Sequence, residues 1–297
     1  MRLAAVDIGS NAARMQISAV LHDGAETSFK KIEYIRYPLR LGHDVFTIRK
    51  ISPERQQKTL QFLHACKLLI ELHEVDHYAI CATSAMRESQ NGPEVVERVR
   101  RELGLRIDVI DGDREAELVG KVIAQTLDGK SYLHIDVGGG STELNLYNKR
   151  QKIASQSFKI GSVRQLEHAD SPLPWKQMKA WIAENAPRVD GSITAVGTGG
   201  NISKIYELAP KKRDNNKISR EEIIATRDYI ARFTEEERIH KLKMNPDRAD
   251  VIVPATDIYL SAMKWAGADA MRVPDIGLKD GMIQMLYEQA GSAARGA

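Results

Sequence analysis

Ile135-Asp136-Val137-Gly138-Gly139-Gly140-Ser141-Thr142-Glu143 decides how this chain folds. The apolar run Tyr132 to Val137 reads as a strand ending on an aspartate. Three glycines and a serine follow, and Glu143 to Tyr147 alternates as a returning strand. Glycines let the backbone turn tightly and approach a ligand closely. Successive amide groups in such a turn form a concave donor site for phosphate oxygens. Asp136 stands where it would hold a divalent cation, since Mg2+ favours carboxylates, retained water and phosphate oxygens. Taken alone, such a turn is no more than a hairpin. The device occurs twice, however. A strand from Arg2 to Ile8 carries Asp7-Ile8-Gly9-Ser10-Asn11 at its end, and Ala13 to Leu21 returns with rough alternation.

Working outward, each turn opens an α/β half. In the first, Phe29 to Leu39 reads as a third strand and Leu41 to Lys50, without a clear period, as a loop. Ser52-Pro53 starts a helix with serine as N-cap and proline in the first turn. Tyr78 to Thr83 follows as a strand, Glu94 to Leu103 as a helix ahead of a strand at Ile107 to Ile110, and Arg114 to Leu127 as a helix. In the second half, Ile153 to Lys159 is the third strand. A helix near Lys176 to Asn185, a strand Ser192 to Val196 and a helix Ser219 to Phe233 come next; Ser219 and Glu222 form a capping-box pattern. Asp250 to Trp265 reads as a helix, Ala270 to Val273 as a strand and Lys279 to Tyr287 as a last helix, with a frayed tail from Gly291. The expected domains are 1–125 and 126–297, with the last helix packing back on the first domain. Paired halves imply a cleft, and ligand sites favour such places.

Composition narrows the function. With 297 residues, 42% of them hydrophobic, the chain can build its core without a metal or disulfide. Its two cysteines, Cys66 in a helical pattern and Cys81 in an apolar run, read as buried small apolar residues, which fits a reducing cytoplasm. No targeting segment and no apolar run of about 18 residues is visible, so no membrane span is expected. The net charge of +3 is spread thinly; Lys211-Lys212-Arg213 is the one tight cluster, read as a solvated loop or a contact to a long anion. Nothing resembles a nucleic-acid motif, so DNA and RNA are not expected partners. Neither glycine turn is a P-loop, for no G-x-x-x-x-G-K-[ST] occurs, and neither opens a helix as a dinucleotide fingerprint does.

Seven segments in order carry a family resemblance: VDIGSN (6–11), ATSAMR (82–87), GDREAELVG (112–120), IDVGGGSTE (135–143), AVGTGG (195–200), RADVIVPA (248–255) and DIGLKDG (275–281). Together they resemble the exopolyphosphatase and guanosine pentaphosphate phosphatase family, from about residue 2 to residue 287. The resemblance implies an α/β fold of two actin-like (ribonuclease H-like) domains flanking a central cleft. It implies a Mg2+-dependent (or other divalent cation-dependent) release of terminal orthophosphate from inorganic polyphosphate or guanosine pentaphosphate. Glu115 matches the catalytic base that activates water, and Arg87 an arginine that would steady the transferred phosphoryl group. Ser10, Asn11, Gly138, Gly139, Gly140, Ser141, Gly197 and Thr198 match the phosphate-binding segments. Asp136, Glu143 and Asp7 match metal-associated carboxylates. A cytoplasmic location and a homodimer are further expectations, as is the short form of the family without an added C-terminal helical domain.

Three positions depart from the family pattern. Ala12 replaces a hydroxyl residue. Arg114 stands where an acid is common beside Glu115, to weaken that base or contact phosphate. Asn201 stands where threonine is common. Two rival readings remain: a phosphotransferase, which would need a second substrate pocket and usually an aspartate base, and a sensor that holds polyphosphate or a guanosine polyphosphate with little turnover.

Overall fold

The computed structural model describes residues 1–24, 26–168, 171–209 and 216–296. Lys211-Lys212-Arg213 lies outside them. The chain divides into two compact units, residues 1–119 with 278–297, and residues 120–277.

The first unit contains β1 (Arg2–Ile8), β2 (Ala13–Asp23), β3 (Glu26–Tyr37), α1 (Leu41–Ile48), α2 (Pro53–Leu72), β4 (His77–Ala82), α3 (Ser84–Glu88), α4 (Gly92–Leu103), β5 (Asp108–Val109) and the start of α5 (Gly112–Thr126). Its sheet runs β3-β2-β1-β4-β5. The first three strands form an antiparallel meander, and β4 and β5 add in parallel. Parallel addition needs a crossover, which α1 and α2 supply. Leu3 to Val6 are all buried, as a central strand covered on both faces requires. Val6, Ile8, Met15, Leu63, Ile80 and Val99 belong to the core beneath it.

The second unit holds β6 (Ser131–Val137), β7 (Thr142–Asn148), β8 (Gln151–Phe158), α6 (Ser162–Leu166), α7 (Pro172–Asn185), β9 (Ile193–Thr198), α8 (Gly200–Leu208), β10 (Lys217–Ser219), α9 (Arg220–Ala231), α10 (Glu235–His240), α11 (Pro246–Ala249), α12 (Ile252–Ala266) and β11 (Ala270–Arg272). The sheet order is β10-β11-β9-β6-β7-β8. Again three strands meander, and β9 and then β11 join in parallel. This is the ribonuclease H-like arrangement expected for each half. Ile135, Leu144, Ile202, Ile258 and Met271 belong to this unit's core. The Ser219 capping box forms as its spacing predicts. The last helix, α13 (Leu278–Gly296), packs on β1, β4 and β2 of the first unit.

Two local expectations are overturned. The segment 41–50 is not a loop, since α1 occupies Leu41–Ile48. Eight residues give too few turns for a period to show, and tertiary contacts supply the reason to fold. Asp44 accepts from the Ser52 amide at 3.0 Å and from Arg55 Nε at 2.8 Å. Leu41 and Val45 are buried. The tail does not fray at Gly291, because α13 continues to Gly296. The short helices α3, α6, α8, α10 and α11 were likewise below the length at which periodicity speaks.

Asp44 therefore makes a stability prediction. Burial alone would raise its carboxyl, but the Ser52 and Arg55 donors outweigh it and hold the group below its ordinary value of 3.8. A depressed folded-state value means stability that is present above the unfolded value and lost as pH falls through the folded one. Asp44→Ala should cost about 2–3 kcal/mol in urea denaturation at neutral pH. The gap to the native protein should shrink as pH falls below 3.8; an unchanged gap there would remove the electrostatic account.

Candidate active site

In the first unit, β1 delivers Asp7 to the C-terminal end of a central strand and the chain turns at once. The Gly9 amide donates to the Ala12 carbonyl at 3.2 Å, closing the turn. Carbonyls of Ser10 and Asn11 accept from the amides of Gly42 and Arg40, each at 2.7 Å, at the entry to α1. Ser10 Oγ lies 2.8 Å from Ser84 Oγ, both buried. Ser84 opens α3, and Arg87 in its last turn donates from its guanidinium to the Ile110 carbonyl, just before α5. Glu115 stands on the first turn of α5, half-buried, its amide bonded to the Asp111 carbonyl at 3.1 Å. Asp7, Cys81 and Asp108 lie in one row across β1, β4 and β5. Burial pushes the Cys81 thiol up to about 12, and the charges of Asp108, Asp7 and Glu115 add to that. Cys66 is pushed to about 12 by burial as well, so both cysteines are inert packing groups. The unit thus brings Asp7, Ser10, Arg87 and Glu115 to one end of its sheet.

Asp7 is already matched to a cation. Arg14, opposite it on β2, donates from Nη1 at 3.0 Å. Burial still raises the Asp7 carboxyl above its ordinary value, against the pull of Arg14 and Lys279. The Arg114 guanidinium bonds Glu117 at 2.6 Å, one turn on, and touches Met285 Sδ at 3.3 Å.

The second unit repeats the turn. The Gly138 amide donates to the Ser141 carbonyl at 2.9 Å, the counterpart of Gly9 with Ala12. Ser141 therefore supplies a hydroxyl where the first turn has Ala12. Loop carbonyls point into α6: Gly138 accepts from Ser162 at 3.0 Å, Gly139 from Val163 at 2.9 Å and Arg164 at 3.0 Å. Gly140 accepts from Arg164 Nε at 2.9 Å. Among the described residues, the amides of Gly139, Gly140 and Ser141 meet no protein acceptor. Gly161 packs so closely under this loop that a Cβ there would lie 2.4 Å from the Gly139 carbonyl oxygen.

Asp136 and Glu143 face each other across β6 and β7. Glu143 is buried and accepts from Ser157 Oγ at 2.8 Å. On the other side of β6, Thr198 is the register partner of Asp136. Thr198 is fully buried, its hydroxyl 2.9 Å from His134 Nε2 and its carbonyl held by the Tyr259 hydroxyl. Burial, with the nearby Asp136 charge, raises the Tyr259 phenol well above its ordinary value. Gly197 is buried against Met271, whose Sδ would lie 2.4 Å from an added Cβ. Gly199 needs to be glycine for another reason, its φ of 101°.

The donor set bears on the cation expected here. Among the described residues no group of three or more His, Cys, Asp or Glu side chains forms a metal cage. Mg2+ does not require one, being held by one or two carboxylates with water and substrate phosphates. The oxygen-only pair Asp136 and Glu143 fits that demand. Asp7, engaged by Arg14, fits it less well.

Sequence reading missed Ser84, Arg14, His134, Ser157, Tyr259 and Gly161. One signal was available. An apolar residue and a glycine follow the third strand in both halves, Leu41-Gly42 and Ile160-Gly161, and each glycine packs beneath its own turn.

Two sheets of ribonuclease H-like order, each led by an aspartate and a glycine turn, define an α/β protein of the actin-like class. A family model described as the Ppx/GppA phosphatase family matches residues 20–290, and the chain belongs to that family. It is 28% identical, over 92% of its length, to a bifunctional 3-dehydroquinate synthase/phosphatase of Fusobacterium nucleatum, of which it covers 44%. It is 25% identical to exopolyphosphatase 2 of Mycobacterium tuberculosis, covering 95% of this chain and 97% of that one. The chain spans about half the length of the first curated relatives it matches. The crystal structure of the Aquifex aeolicus Ppx/GppA family member superposes with a TM-score of 0.74 at 26% identity, covering 98% of each chain. Among the described residues no helix is long and apolar enough to cross a membrane.

Proposed function

We propose that this chain is a phosphohydrolase that releases terminal orthophosphate from inorganic polyphosphate or guanosine pentaphosphate. The observation that carries this is the Gly138–Ser141 turn. The carbonyls of Gly138, Gly139 and Gly140 are consumed by α6 and that of Ser141 by Gly138, and the amides of Gly139, Gly140 and Ser141 are left for an anion. The same closure recurs in the first unit at Gly9–Ala12.

The chain's own groups then divide the work. Glu115 accepts a proton from water as the water oxygen bonds to the terminal phosphorus. The bridging P–O bond breaks, and the proton passes on to the leaving phosphate oxygen. Arg87 opposes the charge on the equatorial oxygens, and the Gly139–Ser141 amides offer donors to a phosphate. Asp136 and Glu143 would hold a Mg2+ ion, which when bound neutralises phosphate charge.

The test offers the purified protein short polyphosphate, long polyphosphate and guanosine pentaphosphate side by side with Mg2+ and measures orthophosphate. Release from at least one is expected, and its rate ratio names the preference. Binding of all three with no release from any would sink the hydrolase reading and leave a sensor.

A further inference from the structure

Strands β1 and β4 of the first unit end level with each other, Ile8 being the register partner of Ala82. Two residues further along each chain, Ser10 and Ser84 meet, Oγ to Oγ at 2.8 Å, and both are buried. The backbone reinforces this contact, since the Thr83 amide donates to the Ile8 carbonyl at 3.1 Å. Gly42 packs against Ser10 as well: an added Cβ there would lie 3.0 Å from the Ser10 Cβ and 3.1 Å from its carbonyl oxygen. Ser10 stands in the Gly9–Ala12 turn, whereas Ser84 stands outside it, on α3.

The two hydroxyls carry two protons between them, and their one hydrogen bond uses a single proton. The other proton belongs to whichever oxygen accepts. Among the described residues neither Oγ has a second partner. A buried donor without an acceptor is costly, so the pair has one proton to offer a ligand. The local backbone says which serine keeps it. Ser84 is the first residue of α3, and the first turn of a helix presents amides rather than carbonyls. The Ser84 hydroxyl finds no acceptor in its own helix, so its proton goes to Ser10 Oγ. Ser10 accepts and keeps its own proton to give.

We propose that Ser84 is a positioning residue: it donates to Ser10 Oγ and so leaves the Ser10 hydroxyl proton for a phosphate oxygen of the substrate. This rests on the reading of Ser10 as a phosphate-binding residue of the phosphohydrolase. A serine hydroxyl rotates about its Cβ–Oγ bond, and its proton takes the direction its neighbours leave open. With Ser84 held on one lone pair, the Ser10 proton is directed away from Ser84. Accepting that bond also polarises the Ser10 hydroxyl and strengthens it as a donor. Ser84→Ala removes both effects without touching the turn itself.

The experiment is a double-mutant cycle on the full chain, titrated calorimetrically with an imido-bridged tripolyphosphate, a probe that resists hydrolysis, in the presence of Mg2+. Ser10→Ala should weaken binding roughly 10–100-fold, as the loss of a hydrogen bond to a charged group does. Ser84→Ala should weaken it roughly three- to tenfold, and Ser84→Thr, which keeps the hydroxyl, should recover most of that. In the Ser10→Ala background Ser84→Ala should change nothing further, because a residue that acts through Ser10 has nothing left to act on. Ser84→Cys, close in size and a weak donor, carries the test if the alanine variant does not fold. Affinity unchanged in a folded Ser84→Ala or Ser84→Cys protein, an equal loss with and without Ser10, or no binding of the probe by the native chain would each overturn the proposal. The outcome is separable from the function itself. Orthophosphate release with an additive cycle would end this inference alone, whereas the expected coupling without release from any substrate would end the hydrolase reading alone.

Discussion

Glu115→Gln is expected to lower the rate of orthophosphate release by roughly 10²–10⁴-fold, the usual contribution of a positioned base, while substrate binding persists. Glutamine keeps the shape and the hydrogen-bonding reach of glutamate but cannot take a proton from water. The fold has little reason to notice. The Glu115 amide is bonded to the Asp111 carbonyl through the backbone, and α5 is anchored by buried Ala116, Leu118 and Val119. The melting temperature should therefore hold, and kcat rather than KM should carry the loss. Arg114 gives an internal control. Its guanidinium is committed to Glu117, so Arg114→Gln should leave kcat within a few-fold of native. A Glu115→Gln protein that is folded and fully active would remove this side chain from the base role.

What could be read from residues alone followed from repetition. Each aspartate–glycine turn is ambiguous by itself; two of them, each followed by a returning strand, fix an α/β protein with paired halves. The strands came through because they are long and apolar or alternating. Helix α2 came through because Ser52-Pro53 punctuates it and the Ser52 side chain does cap the Arg55 amide. The helix α1 did not, because what holds it is Asp44 reaching Ser52 and Arg55, contacts beyond any local pattern. The site divides in the same way. Residues announced by a turn or a motif, such as Asp136 and Gly138, stand at the ends of their strands. The buried polar residues beside them are single polar side chains in otherwise apolar strands. His134 reads in sequence as one interruption of a strand, and nothing in its neighbours says that Asn145 and Thr198 will meet it. Thr198 shows the converse. It sits in a glycine motif, yet the fold encloses it completely and gives its hydroxyl to His134.

Gly161→Ala is expected to damage both stability and substrate binding, through one methyl group. Gly161 has an ordinary extended backbone, with φ −151°, so alanine carries no dihedral penalty there. The cost is purely steric. The new Cβ would lie 2.4 Å from the Gly139 carbonyl oxygen and 2.5 Å from the carbonyl carbons of Gly139 and Gly140. These are backbone atoms, which cannot rotate out of the way as a side chain would. The loop must lift from α6, stretching the bonds from Ser162, Val163 and Arg164 to Gly138 and Gly139. Overpacking of this kind costs about 1–3 kcal/mol. The same displacement turns the Gly139–Ser141 amides away from their ligand, so KM for the polyphosphate substrate should rise by at least about tenfold, equal to about 1.4 kcal/mol of lost binding. Gly104→Ala provides the comparison. That residue has φ 69° and no atom within 4 Å of an added Cβ, so alanine there strains the backbone but presses on nothing. It should cost about 1 kcal/mol and leave KM alone. Thermal melts of both variants, with KM measured on the folded protein, separate the two effects. Equal melting losses with KM unchanged in both would mean that the loop over Gly161 does not hold the substrate.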